Sequence, residues 1–532
     1  MRFRRVLFVL LLLLLVIVIG VIMTIFQLWT TRAMVPLALV VGRVIAEEKL
    51  FTPAEAAGMA ATDIATMQAD ARLQVRYLSL YNVPAKDRAD CIRVLSGHCN
   101  SLSTESDIIK PVVIPGTDNS LVRILLSDYG WTASVWEKLT DEEPYFHVGI
   151  EEEVEVEVDQ AYGLIGDDGK WRQTEVRKEK QKKKVRKATA IAPWLSPDQA
   201  AAKRLAYLVQ ESHSSCPLVR ADWFVWQTCC QAERSPGYYD FLNVKTQKDF
   251  EELIGFDAKL VKKSKRTEFL EAVAESGVAQ QPRRIRRDNT VGAMGFWRTF
   301  DNREAVDKAN PLRILDNENF KFDAGEMFGP LPNNFWTFAL FASDGNRQDS
   351  APDFIGHDST TASNDGRIHV GLSCVRCHFP NGGVNPLDAW ARNLLQPPLA
   401  LQSPSADKMR ELRQQYMRDL LGPMDDDRKT FARALHEATN MTPKEYATMF
   451  GKCFAEYDGG VDLERAATDL GVAPSRLRSA LDAQVRATGT TDTVLSTFLR
   501  PKEQQKLVKI RQWQEAYALA HVCLKSNEGS KK

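Results

Sequence analysis

Cys374-Val375-Arg376-Cys377-His378 is the segment whose residue types and spacing specify a chemistry. Two thiols three residues apart can each add to one vinyl group of a porphyrin. The histidine directly after the second thiol is then held beneath the iron as its proximal ligand. With 9 Cys and 8 His in 532 residues, chance produces this signature roughly 0.002 times. The sequence therefore assigns Cys374 and Cys377 to the covalent attachment of one haem c, and His378 to the iron.

Two other readings use the same residues. A redox dithiol also needs C-x-x-C, with Arg367 to Leu372 as a strand leading into it, but it leaves His378 without a role. A structural zinc site needs four ligands, usually from a second close pair. The other cysteines stand at 91, 99, 216, 229, 230, 453 and 523, and none forms another C-x-x-C.

The N-terminus adds a second signal. Met1-Arg2-Phe3-Arg4-Arg5 is basic, and no charged residue follows from Val6 to Trp29. Such a run makes a helix of about 36 Å, enough to cross a hydrocarbon core of about 30 Å. It is longer than the apolar region of a cleaved signal, and Gln27 to Arg32 offers no small-x-small site. An uncleaved signal anchor is expected, a single membrane-spanning helix. Three arginines before the span place the bulk of the chain on the periplasmic, extracytoplasmic side.

Composition is that of an ordinary globular chain, 44% hydrophobic and 26% charged, with Lys+Arg and Asp+Glu equal at 69 each. No global positive field invites nucleic acid. In an oxidising compartment some of the seven other cysteines pair, with Cys91–Cys99 and Cys453–Cys523 as the candidate bridges.

The elements that position the motif follow from periodicity and capping. Thr52-Pro53-Ala54-Glu55 starts a helix expected to run to about Tyr77. A second covers Lys86 to Gly97, Leu121 to Leu126 reads as a strand, and Thr132 caps a helix through Leu139. Glu151 to Asp159 alternates valine with acid, and Val176 to Lys187 is a basic partner, so the two read as a hairpin. Helices are expected from Ser196 to about Glu211, at Gln247–Ile254 and at Thr267–Glu275, and Arg283–Arg287 reads as a solvated loop. Glu326–Leu331 and Phe335–Ala342 read as strands before the motif. Their Phe328, Phe335, Trp336, Phe338 and Phe341 are core residues, some of which should line a porphyrin. After His378 the chain reads as helical almost to its end, with starts at Thr442-Pro443-Lys444-Glu445 and Arg500-Pro501 and a last helix reaching about Leu524. The expected fold class is α+β and predominantly α-helical, with an N-terminal transmembrane helix, a mixed middle region and a helical C-terminal haem region. The expected segments are 1–32 (cytoplasmic tip and anchor), 33–145 (helical/mixed), 146–195 (charged hairpin), 196–300 (helical), 301–400 (haem attachment) and 401–532 (helical).

The chain resembles the large bacterial single-haem c-type proteins whose motif sits in N-G-[IL]-S-C-M-x-C-H. The match here is Val370-Gly371-Leu372-Ser373-Cys374-Val375-Arg376-Cys377-His378. The resemblance extends to Asn100 to Ser103, Ile124 to Trp131, Val219 to Val225, Ser276 to Val278, Phe322 to Glu326, Leu331 to Asn333 and Val461 to Ala467. It implies haem c and, because the family is mostly uncharacterised, no particular reaction. The chain departs from the family at Cys216, where a cysteine pair is often found, and in the enlarged hairpin at 151–187.

The sixth iron ligand separates electron carriers from gas or peroxide chemistry. Met424, on an expected loop, is the best placed candidate; Met327, Met409, Met417 and His369 are the others. The leading expectation is a membrane-anchored mono-haem cytochrome that passes electrons between redox protein partners. A haem-based sensor or peroxide-reactive protein with an open distal site, and a non-haem thiol-redox protein, are the alternatives. Protease added to intact spheroplasts should digest the chain beyond about Arg32; protection of its C-terminal region would contradict the expected orientation.

Overall fold

Two sheets and a set of C-terminal helices surround the motif in the computed structural model. It describes residues 52–165, 171–191, 199–229, 237–257, 259, 270–274, 283–301, 322–351, 356–358, 366–383, 407, 410 and 421–529. The expected anchor at 1–32, with Met409 and Met417, lies outside the described residues. No described helix is long and apolar enough to cross a membrane. The described elements belong to one compact unit that begins at Phe51. The chain is mixed α and β, about half helical rather than predominantly so.

Helix α1 (Pro53–Ala65) starts on the Thr52/Glu55 capping box and buries Ala56, Ala57, Ala60, Ala61 and Ile64 at helical spacing. It ends well before Tyr77. Residues Val75–Ser79 form β1 instead, buried along its whole length, because a run such as Val75-Arg76-Tyr77-Leu78 suits a central strand covered on both faces. The first sheet adds β2 (Val112–Val113), β3 (Leu121–Leu125) and β6 (Leu218–Arg220) in the order β2-β3-β1-β6. Helix α2 (Ala85–Asn100) and helix α3 (Ala133–Thr140) follow the expected segments closely. Strands β4 (His147–Ile165) and β5 (Trp171–Ile191) make the expected hairpin, longer than anticipated and in a sheet of their own. Glu153 lies opposite Lys184, and Glu155 opposite Lys182.

Helices α4 (Gln199–Ser212) and α5 (Ala221–Cys229) flank β6. A six-stranded antiparallel meander follows: β7 (Leu270–Ala274), β8 (Arg283–Asn289), β9 (Gly295–Phe300), β10 (Ala324–Pro330), β11 (Trp336–Ala342) and β12 (Arg347–Gln348). Two expectations are corrected here. The segment expected as a helix at 267–275 holds strand β7, since pairing with β8 overrides the weak local preference of Leu-Glu-Ala-Val-Ala. The expected solvated loop at Arg283–Arg287 is strand β8, with Arg284 and Arg287 buried. Arg287 is buried at little cost because its Nε and Nη2 donate to the Asp427 carboxylate at 2.9 and 2.8 Å.

Past the motif come α7 (Leu421–Thr439), α8 (Pro443–Phe450), α9 (Leu463–Asp469), α10 (Pro474–Thr488) and α11 (Ile510–Gly529). The last helix starts later than the Arg500-Pro501 signal, which yields only a short 3-10 turn at Lys502–Gln504. The fully buried Arg220 guanidinium ties these helices to the first sheet. It pairs with Asp222 at 2.5 Å and with Asp469 at 3.0 Å, and lies 3.9 Å from the centre of the Tyr145 ring. Tyr81 Oη adds a hydrogen bond to the Asp469 carbonyl at 2.8 Å.

The disulfide expectations are also corrected. Cys91 on α2 bridges Cys453, on a π-helical turn after α8, with Cα atoms 5.6 Å apart. Cys99 and Cys523 are free and buried. Packing of α2 against α8 sets this pairing: a Cβ on Gly97 would overlap the Tyr446 ring, so the two helices approach at glycine. Sequence spacing carries no trace of a contact 362 residues long. Reduction of this bridge should lower unfolding free energy by about 2–5 kcal/mol. That sensitivity to reductant should persist in Cys523→Ser and vanish in Cys453→Ser; a melting temperature indifferent to reductant would contradict the pairing.

Candidate functional site

The motif folds as helix α6 (Leu372–His378), and its sequence explains why it starts and stops where it does. Gly371 turns the chain with a φ of 86°, in the left-handed region. A Cβ there would stand 3.1 Å from the Cys229 backbone and 3.0 Å from the Tyr238 ring. The expected strand at 367–372 does not form; His369 makes one isolated bridge with Ser350, and Leu372 already opens the helix. Ser373 Oγ donates to Asp358 at 2.7 Å, and Arg376 pairs with the same carboxylate. Asp358 is buried, so it clamps one face of α6. The neighbouring face carries Cys374 and Cys377 at i and i+3, with His378 at i+4 from Cys374. All three chemical groups therefore share one side of a short, anchored helix.

A 3-10 turn at Phe379–Asn381 ends the helix, and Gly382 and Gly383 follow with φ of 77° and 97°. The turn brings the Gly383 carbonyl to 2.7 Å from His378 Nδ1. Trp336 Nε1 donates to the Gly382 carbonyl at 3.0 Å and holds the turn in place. A carbonyl only accepts, so Nδ1 carries a proton, and Nε2 is the nitrogen turned to the site. Nε2 faces Glu326 Oε1 at 3.1 Å. The imidazole lies between Phe328 and Phe338, with ring centres 5.1 and 5.2 Å away. Glu326 and Phe328 share a face of β10 because they stand two residues apart on a strand.

Helix α7 packs over this assembly. Phe431 meets Phe379 at 4.7 Å between ring centres, and a Cβ on Gly382 would lie 3.0 Å from Arg428. Met424 sits on α7, buried, rather than on a loop. It lies one and two turns before Arg428 and Phe431, so it belongs to the face that approaches the motif. Met327 alternates with Glu326 and Phe328 and so faces away from His378. His369, just before the motif helix, lies tilted against Trp226 with ring centres 5.6 Å apart.

Electrostatics distinguish the chemistries open to the two thiols. Both are free. Burial raises the Cys374 thiol well above its ordinary value, and the Glu326 charge adds to the shift. Cys377 is also raised by burial, against the lowering influence of Arg376. A dithiol oxidoreductase works through a thiol whose pKa is lowered. No cluster of three or more His, Cys, Asp or Glu suited to a metal ion occurs among the described residues. The donor set fits a c-type haem: two unbridged thiols on one helical side, and an imidazole whose outer nitrogen is committed to a carbonyl.

Comparison with protein-family models, with characterised proteins and with solved structures gives no match. Sequence reasoning brought Cys374, Cys377 and His378 together but missed Asp358, Gly383 and Glu326. The paired glycines directly after the motif were the readable signal for the turn. An acid within the otherwise apolar run Ala324–Pro330 was the signal for Glu326.

Gly383→Ala tests the turn. Its φ and the overlap of a Cβ with the Trp336 indole should lower stability by more than the roughly 1–3 kcal/mol of backbone strain alone. Gly489→Ala, at φ 72° with open space around it, should cost only the strain. Equal losses in denaturant unfolding would remove the packing role of Gly383.

Proposed function

We propose that this chain is a membrane-anchored, extracytoplasmic mono-haem c-type cytochrome that transfers electrons between redox protein partners. The observation that carries the proposal is the orientation of His378. On a helix bearing two free thiols, its Nδ1 is held by the Gly383 carbonyl at 2.7 Å and its Nε2 is presented to the site. The haem, when bound, supplies reversible one-electron chemistry at its iron. Cys374 and Cys377 would hold it by thioether bonds, and His378 Nε2 would ligate the iron.

The chain's own residues do the rest. Asp358 fixes the pitch and position of α6 through Ser373 and Arg376. Phe328 and Phe338 enclose the imidazole and keep water from it. A ligand held from both sides moves little when its metal changes charge, which suits a carrier of electrons. One motif means one haem, so the chain would relay single electrons rather than store several. The Cys91–Cys453 bridge supports an oxidising compartment, in accord with the orientation read from the basic N-terminus.

The test uses the full chain made in a host that matures c-type haem. A denaturing gel stained for haem should show a band for the parent protein and none for the double variant Cys374→Ala/Cys377→Ala. His378→Ala should keep covalent haem while losing the histidine-ligated spectrum. Met424→Ala should lower the reduction potential if the buried thioether on α7 is the sixth ligand, because methionine ligation raises it. Covalent haem in the double cysteine variant would overturn the assignment.

A further inference from the structure

The carboxylate of Glu326 stands directly off the nitrogen that His378 turns to the site, with Oε1 3.1 Å from Nε2. Both side chains are only 12% exposed. Its place is fixed by the sheet: β10 pairs with β11 along seven residues, Glu326 opposite Leu340 and Phe328 opposite Phe338. The Glu326 main-chain N–H also donates to Thr299 Oγ1 at 2.8 Å, so the residue cannot withdraw with its strand. Its charge acts on Cys374 and on Cys377 as well as facing His378.

From this arrangement, which rests on the haem reading above, we infer that Glu326 is a positioning residue for the iron ligand and a determinant of the reduction potential. In the haem-free chain a proton between Oε1 and Nε2 joins the two groups, on the side opposite the Gly383 carbonyl, so the ring is aligned before any metal arrives. An iron on Nε2 would need the place that Oε1 now holds, so the Glu326 side chain would turn aside while its main chain, fixed by β11 and Thr299, would keep the carboxylate in the wall of the site. A negative charge kept in that wall would favour the ferric over the ferrous state of a haem bound there.

Glu326→Gln keeps the size and a hydrogen-bonding group but removes the charge, and Glu326→Asp keeps the charge on a shorter arm. Redox titration of the full-length proteins should show the potential rising in Glu326→Gln and remaining near the parent value in Glu326→Asp. In haem-free protein, ring nitrogen NMR should show His378 Nε2 altered in Glu326→Gln while the Nδ1 proton stays in place. If all three proteins carry haem with the same potential, the tuning role is overturned and the haem reading stands. If the parent chain carries no covalent haem under maturation, the haem reading fails, and the nitrogen shifts alone then decide whether Glu326 holds the ring. Should Glu326→Gln not fold, an unchanged His378 nitrogen signal in Glu326→Asp, whose arm is too short to reach, would overturn the positioning role.

Discussion

The Asp427 carboxylate is the contact on which the site's surroundings depend. It is fully buried on α7 and accepts from Arg287 Nε and Nη2, from the Gly295 main-chain N–H at 3.0 Å and from Trp297 Nε1 at 2.9 Å. All the partners lie on β8 and β9, so one charged group joins the six-stranded sheet to α7. A buried carboxylate with four donors is stable only while each donor remains in reach, and loss of one partner leaves a charge uncompensated. The junction therefore tolerates little movement. It fixes the sheet that supplies Glu326 and Phe328 and the helix that lays Phe431 over Phe379.

Between these two walls the motif helix is held at both ends by features that only glycine allows. Gly371 lets the chain enter against the Cys229 backbone, and Gly383 lets it leave beneath the Trp336 indole. Asp358 secures the face between them. The result is an imidazole whose two nitrogens have different, fixed surroundings: a neutral carbonyl behind and a carboxylate in front. That asymmetry distinguishes the two nitrogens and leaves Nε2 as the one turned to the site. The Arg220 cluster plays the matching part farther away, where it fastens the first sheet to the helices that follow α7.

Local signals in the sequence were legible where chemistry is local. The capping boxes at Thr52 and Thr442, the hairpin at 151–187 and the apolar strands beside Phe328 and Phe338 all read directly from neighbouring residues. The fates of Arg284 and Arg287 did not. Five residues with four arginines look solvated until a partner such as Asp427, 140 residues on, neutralises the charge. The same holds for Tyr77, which a helical pattern claimed and a neighbouring strand took. Cys91 found Cys453 because two helices pack, which no spacing encodes. At the site, the three residues of the motif were readable because they stand within five positions of one another. Glu326 and Asp358 were hidden because they reach it through the fold.

On the proposed reading, Cys374 and Cys377 carry one haem. The most direct measurement is the mass of the proteolytic fragment containing residues 374 to 378, taken from full-length protein matured in a haem c-competent host. This fragment should carry one porphyrin bound through both thiols, with all other cysteine fragments free of porphyrin. A fragment with two free thiols, or with Cys374 and Cys377 bridged to each other, would contradict it.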